Sequence, residues 1–201
     1  MGLTMENLQK QINQLKKELA ELKNENPVSI KNKLEIGDTF DLIGLKWKIM
    51  DKTGAGYMCL AETLEDKKQF DKNNSDWKKS SLREYLNGEF LEKLSDAVGE
   101  ENIISFERDL FSLDGQTEYG SCEDKVSLLT VDEYRKYRSM IPNTDDGWWW
   151  LITPWSTPCN DYERSVTVVS PSGNVLHNYC FFDNGVRPFC IFSSSIFESE
   201  D

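Results

Sequence analysis

RSVTVVSPSGNVLHNYCFF, residues 164–182, is the stretch whose reading decides the fold class. Arg164 to Val169 is a β-branched run, Ser170-Pro171-Ser172-Gly173 is a turn, and Asn174 to Phe182 leads back. β-Branched and aromatic residues bounded by Ser, Pro and Gly predict two antiparallel strands. Just upstream, Trp148-Trp149-Trp150-Leu151-Ile152-Thr153 predicts a third strand. Successive side chains on a strand point to opposite faces, so Trp148 and Trp150 share one face and Trp149 takes the other. At least two of the three belong in the core. Downstream, Gly185-Val186-Arg187-Pro188-Phe189-Cys190-Ile191-Phe192 predicts a closing strand. Arg187 interrupts an apolar run, so it reads as structural and as a poor candidate for ligand contact, with a carboxylate partner if it is buried.

Working toward the N-terminus, LEIGDTFDL (34–42), LKWKIMD (45–51) and GYMCLAE (56–62) predict a three-strand meander with turns at Gly44 and Thr53–Gly56. Residues 65–80 are charged and read as a loop. Ser81-x-x-Glu84 has the spacing of a capping box and predicts a helix with Leu82, Tyr85, Leu86, Phe90 and Leu94 on its apolar face. Residues 103–111 predict a strand, 112–124 a polar loop, and 126–130 a buried strand. Thr130-x-x-Glu133 is a second capping box, opening a short helix that runs to about Ser139. Strands and helices in this order give an α+β domain over residues 34–192.

Residues 1–26 are of another kind. Met5, Ile12 and Leu19 fall at position a of a heptad, and Leu8, Leu15 and Leu22 fall at d. An unbroken a/d stripe is narrower than the face a helix usually lays on its own domain, so it predicts a coiled coil. Glu18 at g meets Lys23 at e only if the two helices run parallel, although each exposed pair contributes just ~0.2–1 kcal/mol. The expected product is a homo-oligomer, a dimer or a trimer. Residues 27–33 read as a linker and 193–201 as an acidic tail.

The whole chain of 201 residues has 23 Lys and Arg against 35 Asp and Glu, a net charge of −12. That balance argues against direct binding to nucleic acid, which needs clustered cations. It argues equally against an anionic membrane surface. No apolar run reaches the ~20 residues of a bilayer span. The polar N-terminus does not read as a signal peptide, and five cysteines without one point to free thiols in a cytoplasm or a phage particle.

Several short patterns recur together in order. They are Gly37-Asp38-Thr39-Phe40 with Trp47-Lys48-Ile49; Trp77 with Ser81-Leu82-Arg83-Glu84-Tyr85-Leu86-Asn87-Gly88-Glu89-Phe90; Val126-Ser127-Leu128-Leu129; Trp149-Trp150-Leu151; Val168 with Ser172-Gly173; and Gly185-Val186-Arg187-Pro188. The set resembles a domain of unknown function found in bacteria and their phages. Its C-terminal part is similar to C-type-lectin-like folds of the formylglycine-generating-enzyme type. The resemblance covers residues 34–192 and implies a compact α+β domain whose relatives bind ligands through variable surfaces. Where that family tends to carry Arg-Ser-Pro-Gly after the Trp strand, this chain has Ile152-Thr153-Pro154-Trp155. The change places a tryptophan where a loop would display it.

Catalytic and metal readings are weakly supported by the residue types. His177 is the single histidine, and it is three residues from Cys180, which sets the two on opposite faces of a strand. Cys159, His177, Cys180 and Cys190 lack the spacing of a zinc site. The oxygen-ligand patterns of calcium-dependent lectins are missing, and Gly54-Ala55-Gly56 lacks the lysine and helix of a phosphate loop. The expectation is a non-enzymatic module without metal or cofactor. What remains is a display surface: Trp155, Asn160, Tyr162, Arg164, His177, Asn178, Tyr179, Phe182 and Asp183, with Ser156 and Asn184 beside them. Trp, Tyr and Arg dominate binding energy at interfaces, and Tyr, Ser and Asn are common in recognition loops. The expected ligand is a protein, ahead of a glycan, bound in several copies through the coiled coil. The competing expectation, from the −12 charge, is an acidic inhibitor that blocks a basic partner such as a nucleic-acid-handling defence protein.

Overall fold

The computed structural model describes residues 34–197, together with Lys10, Gln11, Asn13 and Gln14, which are helical and exposed. The heptad positions Met5, Leu8, Ile12, Leu15, Leu19 and Leu22, the linker and the tail from Glu198 onward lie outside the described residues.

The predicted meander is present as β1 (Thr39–Leu42), β2 (Leu45–Lys52) and β3 (Tyr57–Ala61), all antiparallel. Leu42 pairs with Leu45 across a two-residue turn in which Ile43 and Gly44 both have positive φ. That turn matches the right-handed twist of the strands it joins. The C-terminal strand β11 (Phe189–Phe192) then inserts beside β3, and on its other side it pairs with β4 (Ile103–Ile104) and β7 (Val126–Ser127). The last strand of the sequence therefore lies inside the sheet, not at its margin.

Two further sheets complete the set among the described residues. β5 (Phe106–Asp109) and β6 (Ser121–Asp124) form a hairpin, so part of the 112–124 segment expected as loop is strand. Its sequence, Ser121-Cys122-Glu123-Asp124, hides this because the apolar content of a strand is nearly absent. The decisive stretch forms β8 (Trp149–Pro154), β9 (Ser165–Val169) and β10 (Val175–Tyr179), in the order β10-β9-β8.

β8 divides the core. Trp149 and Leu151 pack with Met50, Leu60, Tyr134 and Phe189, while Trp150 and Ile152 pack with Phe70, Trp77, Val166 and Val168. Period-two alternation thus feeds two apolar clusters from a strand buried on both faces. Trp148 precedes the strand and stays exposed.

The first helix starts as α1 (Ser81–Tyr85), passes through a π turn at Leu86–Phe90 and continues as α2 (Leu91–Val98). Its cap is Ser80, not Ser81. Ser80 keeps an extended backbone and its Oγ accepts the Arg83 N–H at 3.1 Å; the Ser81 N–H goes to Asp71 Oδ2 instead, so the expected Ser81–Glu84 box is replaced by a single cap bond one residue earlier. The break falls at Gly88, whose φ and ψ are non-helical, and next to it Asn87 Nδ2 donates to the Val126 carbonyl at 2.8 Å. The second helix, α3 (Val131–Tyr137), has the predicted box: Thr130 Oγ1 accepts the Glu133 N–H at 3.0 Å and Glu133 Oε2 accepts the Thr130 N–H at 2.8 Å.

Glu133 also holds the one charged side chain of β5 that is buried. Arg108 donates to both Glu133 oxygens, at 2.7 and 2.6 Å, and to the Leu128 carbonyl at 2.8 Å. Burial alone would raise the Glu133 carboxyl, but the Arg108 guanidinium overrides it and holds the group below the usual glutamate range. Arg187, by contrast, has no carboxylate partner of the expected kind among the described residues. Its Nε donates to the Ala61 carbonyl at 3.0 Å and its guanidinium lies over the Trp149 ring at 5.1 Å.

Candidate functional site

The hairpin of β9 and β10 pairs Val175 with Val169 at one end and Tyr179 with Ser165 at the other. The Ser170 N–H bonds the Asn174 carbonyl at 2.9 Å and the Cys180 N–H bonds the Arg164 carbonyl at 2.8 Å. Backbone groups of β10 that face β9 thus sit on even-numbered residues, and those of Val175, His177 and Tyr179 face outward. β9 is buried along its whole length between two neighbours, whereas among the described residues β10 has only β9 beside it in the sheet. The position of β10 at the margin leaves Leu176, His177 and Tyr179 exposed.

An aromatic cluster follows from this placement. Tyr179 is 51% exposed and stacks on Phe181 with centroids 5.3 Å apart and planes only 6° apart. Phe182, 47% exposed, packs on Phe181 at 5.0 Å and on Tyr179 at 6.0 Å. Single exposed apolar residues are ordinary on a protein surface, but a contiguous group is not. Tyr179 and Phe182 belong to the predicted surface. Phe181 was missed, although it is the residue two on from Tyr179 in the strand alternation that could have found it.

The loop after β8 adds a second part. The Trp155 N–H bonds the Ser165 carbonyl at 2.9 Å, and the Trp155 ring, half-buried, lies 4.4 Å from the His177 ring. Beside it opens a pocket of about 410 Å³ lined by Leu113, Asp114, Trp155, Ser156, Asn160 and Tyr162. Asp114 is its polar centre. Its carboxylate accepts the Ser112 hydroxyl, the Ser156 hydroxyl at 2.6 Å and the Asn160 amide at 2.8 Å. These donors, Ser112 first, lower its pKa below the usual aspartate value. Asp114 lies more than forty residues away in sequence, so no local signal could have joined it to this loop.

Of the remaining predicted residues, Tyr162, Arg164 and Asp183 are exposed. Asn178 is half-buried and its amide reaches the Asn184 side-chain oxygen at 3.4 Å. Ser156 and Asn184 are buried, so the display reading of those two is corrected: Ser156 donates to Asp114 inside the loop pocket, and Asn184 pairs with the Lys68 backbone.

Cys180 is buried, with its pKa pushed up to about 11 by burial, and it is separated from the exposed His177 by the strand alternation. Cys59 and Cys190 face each other across β3 and β11, and burial raises both well above the ordinary thiol value. Cys159 is exposed on a turn with Thr157 Oγ1 3.0 Å from its sulfur. Among the described residues no group of three His, Cys, Asp or Glu side chains is placed to hold a metal ion. No described helix is long and apolar enough to cross a membrane.

Residues 46–146 match a family described as a domain of unknown function, DUF6273. No curated protein and no solved structure matches the chain. The matched stretch runs from β2 to the loop before β8, so the aromatic hairpin lies beyond it.

Proposed function

Starting from a chain that belongs to the DUF6273 family, we propose that it is a non-enzymatic binding module that holds a protein partner on the surface formed by Trp155, Tyr162, His177, Tyr179, Phe181 and Phe182. One observation carries the reading: Tyr179, Phe181 and Phe182 stack on one another in solvent instead of entering either core cluster. Apolar rings left together in water favour a partner that buries them, by ~25 cal/mol per Å² removed from water. The outward N–H and C=O groups of Val175 and His177 complement an extended partner segment, which adds backbone hydrogen bonds to the aromatic contact; those of Tyr179 are already taken by the Asn178 side chain and the Phe182 N–H.

Three finer points belong to the same proposal. The domain is C-type-lectin-like, of phage or bacterial origin, a reading supported by the ordered sequence patterns and by short antiparallel strands that carry long loops. The module is multivalent through a parallel coiled coil over residues 1–26, which raises avidity by ~10²–10⁴ without new contacts. It acts by binding and not by turnover, since the thiols at the surface hairpin are buried or held by neighbours and His177 is engaged against Trp155.

The test compares two baits. The tagged chain and its Tyr179→Ser, Phe181→Ser, Phe182→Ser variant are each exposed to bacterial lysate at low salt and at high salt. The expected result is a protein captured by the first and lost by the second, retained at high salt. Equal capture by both baits defeats the proposal. Capture that disappears in salt supports instead an acidic body acting on a basic partner.

A further inference from the structure

A second cavity, of about 270 Å³, shares no lining residue with the aromatic surface. Its walls include Trp47, Met50, Leu60, Met140, Ile141 and Pro142, and its charged lining is Lys46, Lys48, Glu62 and Arg187. Three cations against one carboxylate make it a cationic pocket on a chain of net charge −12.

Arg187 is the unusual member. It is half-buried, yet no carboxylate is within ion-pair distance of it among the described residues; Asp146 and Glu62 act on it only from farther off. Burial lowers its pKa to about 10. A guanidinium has five N–H donors, and here Ala61 accepts the one on Nε. The terminal nitrogens are not among the sealed, unsatisfied atoms, in contrast to Arg108 Nε, and the side chain lines the open cavity. The Trp149 ring beneath keeps the planar group in position. Two of the other charges are already engaged at the wall: Lys48 Nζ donates to the Met140 carbonyl at 2.9 Å, and Glu62 Oε1 accepts the Lys46 backbone N–H at 3.0 Å.

We propose that this cavity binds a small organic carboxylate, whose carboxylate pairs with the Arg187 guanidinium while its apolar body lies against Trp47, Met50, Leu60 and Ile141. The planar fork of an arginine matches a carboxylate in two parallel hydrogen bonds. The apolar walls select a ligand with a hydrocarbon part over a bare inorganic anion. Lys46 at the rim adds charge without contributing its side chain to the fold. This site is independent of the partner surface, and either can fail alone.

The experiment is calorimetric titration of the full chain with hexanoate, hexan-1-ol and inorganic phosphate in turn. Hexanoate is expected to bind with a dissociation constant of about 1 mM or below. The alcohol and phosphate are each expected to bind at least about tenfold more weakly, because each lacks one half of the match. Arg187→Lys is expected to weaken hexanoate by about tenfold, since an ammonium cannot form the paired bonds. Lys46→Glu, at an exposed position, is the control for folding and is expected to weaken hexanoate several-fold with an unchanged melting temperature. No heat from hexanoate, equal binding of the alcohol, or tighter binding of phosphate would each overturn the proposal.

Discussion

Trp155 lies against His177 with ring centroids 4.4 Å apart, which joins the loop after β8 to the outer strand β10. The two residues come from opposite ends of the connection that β9 completes. Their contact makes one surface of the polar pocket around Asp114 and the aromatic cluster at Tyr179.

Trp155→Ala should therefore act on binding more than on folding. The ring is half-buried and outside both core clusters, so the expected cost in stability is about 1 kcal/mol or less. Loss of partner binding by about 2 kcal/mol is expected if it is an interface anchor. Thermal melting and a binding titration on the same sample check both numbers. A much larger fall in melting temperature would make Trp155 a core residue.

Glu133→Gln should be costly at neutral pH and should change the acid limb. Replacing the carboxylate leaves the buried Arg108 without its charge partner, a change expected to cost about 3–5 kcal/mol. The folded carboxyl titrates below its unfolded value, so the pair's contribution is full above the unfolded pKa and is lost as pH falls through the folded one. Denaturant melts from pH 7 down to pH ~2 should show this loss below about pH 4.3 in the parent and a flatter profile in the variant.

Gly56→Ala should destabilise more than its size suggests. A Cβ at Gly56 would collide with the Phe192 carbonyl, where β3 begins its pairing with β11. Backbone cannot swing aside as a side chain can, so a loss of about 2 kcal/mol or more is expected from chemical denaturation.

Leu15→Asp with Leu22→Asp should yield a monomer whose domain melts as before. Two charges at d positions remove the stripe that the heptad requires. Light scattering reads the mass, and an unchanged mass would refute oligomerisation through this segment.

Much of the architecture was legible in local pattern. The meander, the 164–182 hairpin, the Thr130–Glu133 box and the burial of Trp149 and Trp150 all follow from spacing and turn chemistry. The site was legible in part. Tyr162, Tyr179 and Phe182 are exposed as expected, while Ser156 and Asn184 are buried and Phe181 and Asp114 joined without being foreseen. The β5–β6 hairpin escaped notice because polar residues carry its second strand. Arg187 was expected to need a carboxylate only if buried; it is half-buried, and a carbonyl and a ring stand beside it.

The amino-acid order by itself determined the periods, the caps and the turns, because each depends on residues a few positions apart. Only tertiary structure decided that β11 lies inside its sheet while β10 lies at the margin of another. Alternation gives a strand two faces, but whether either face meets water depends on what the rest of the chain packs against it. That is why VTVV of β9 is wholly buried and LHNY of β10, one turn away, presents its rings to solvent.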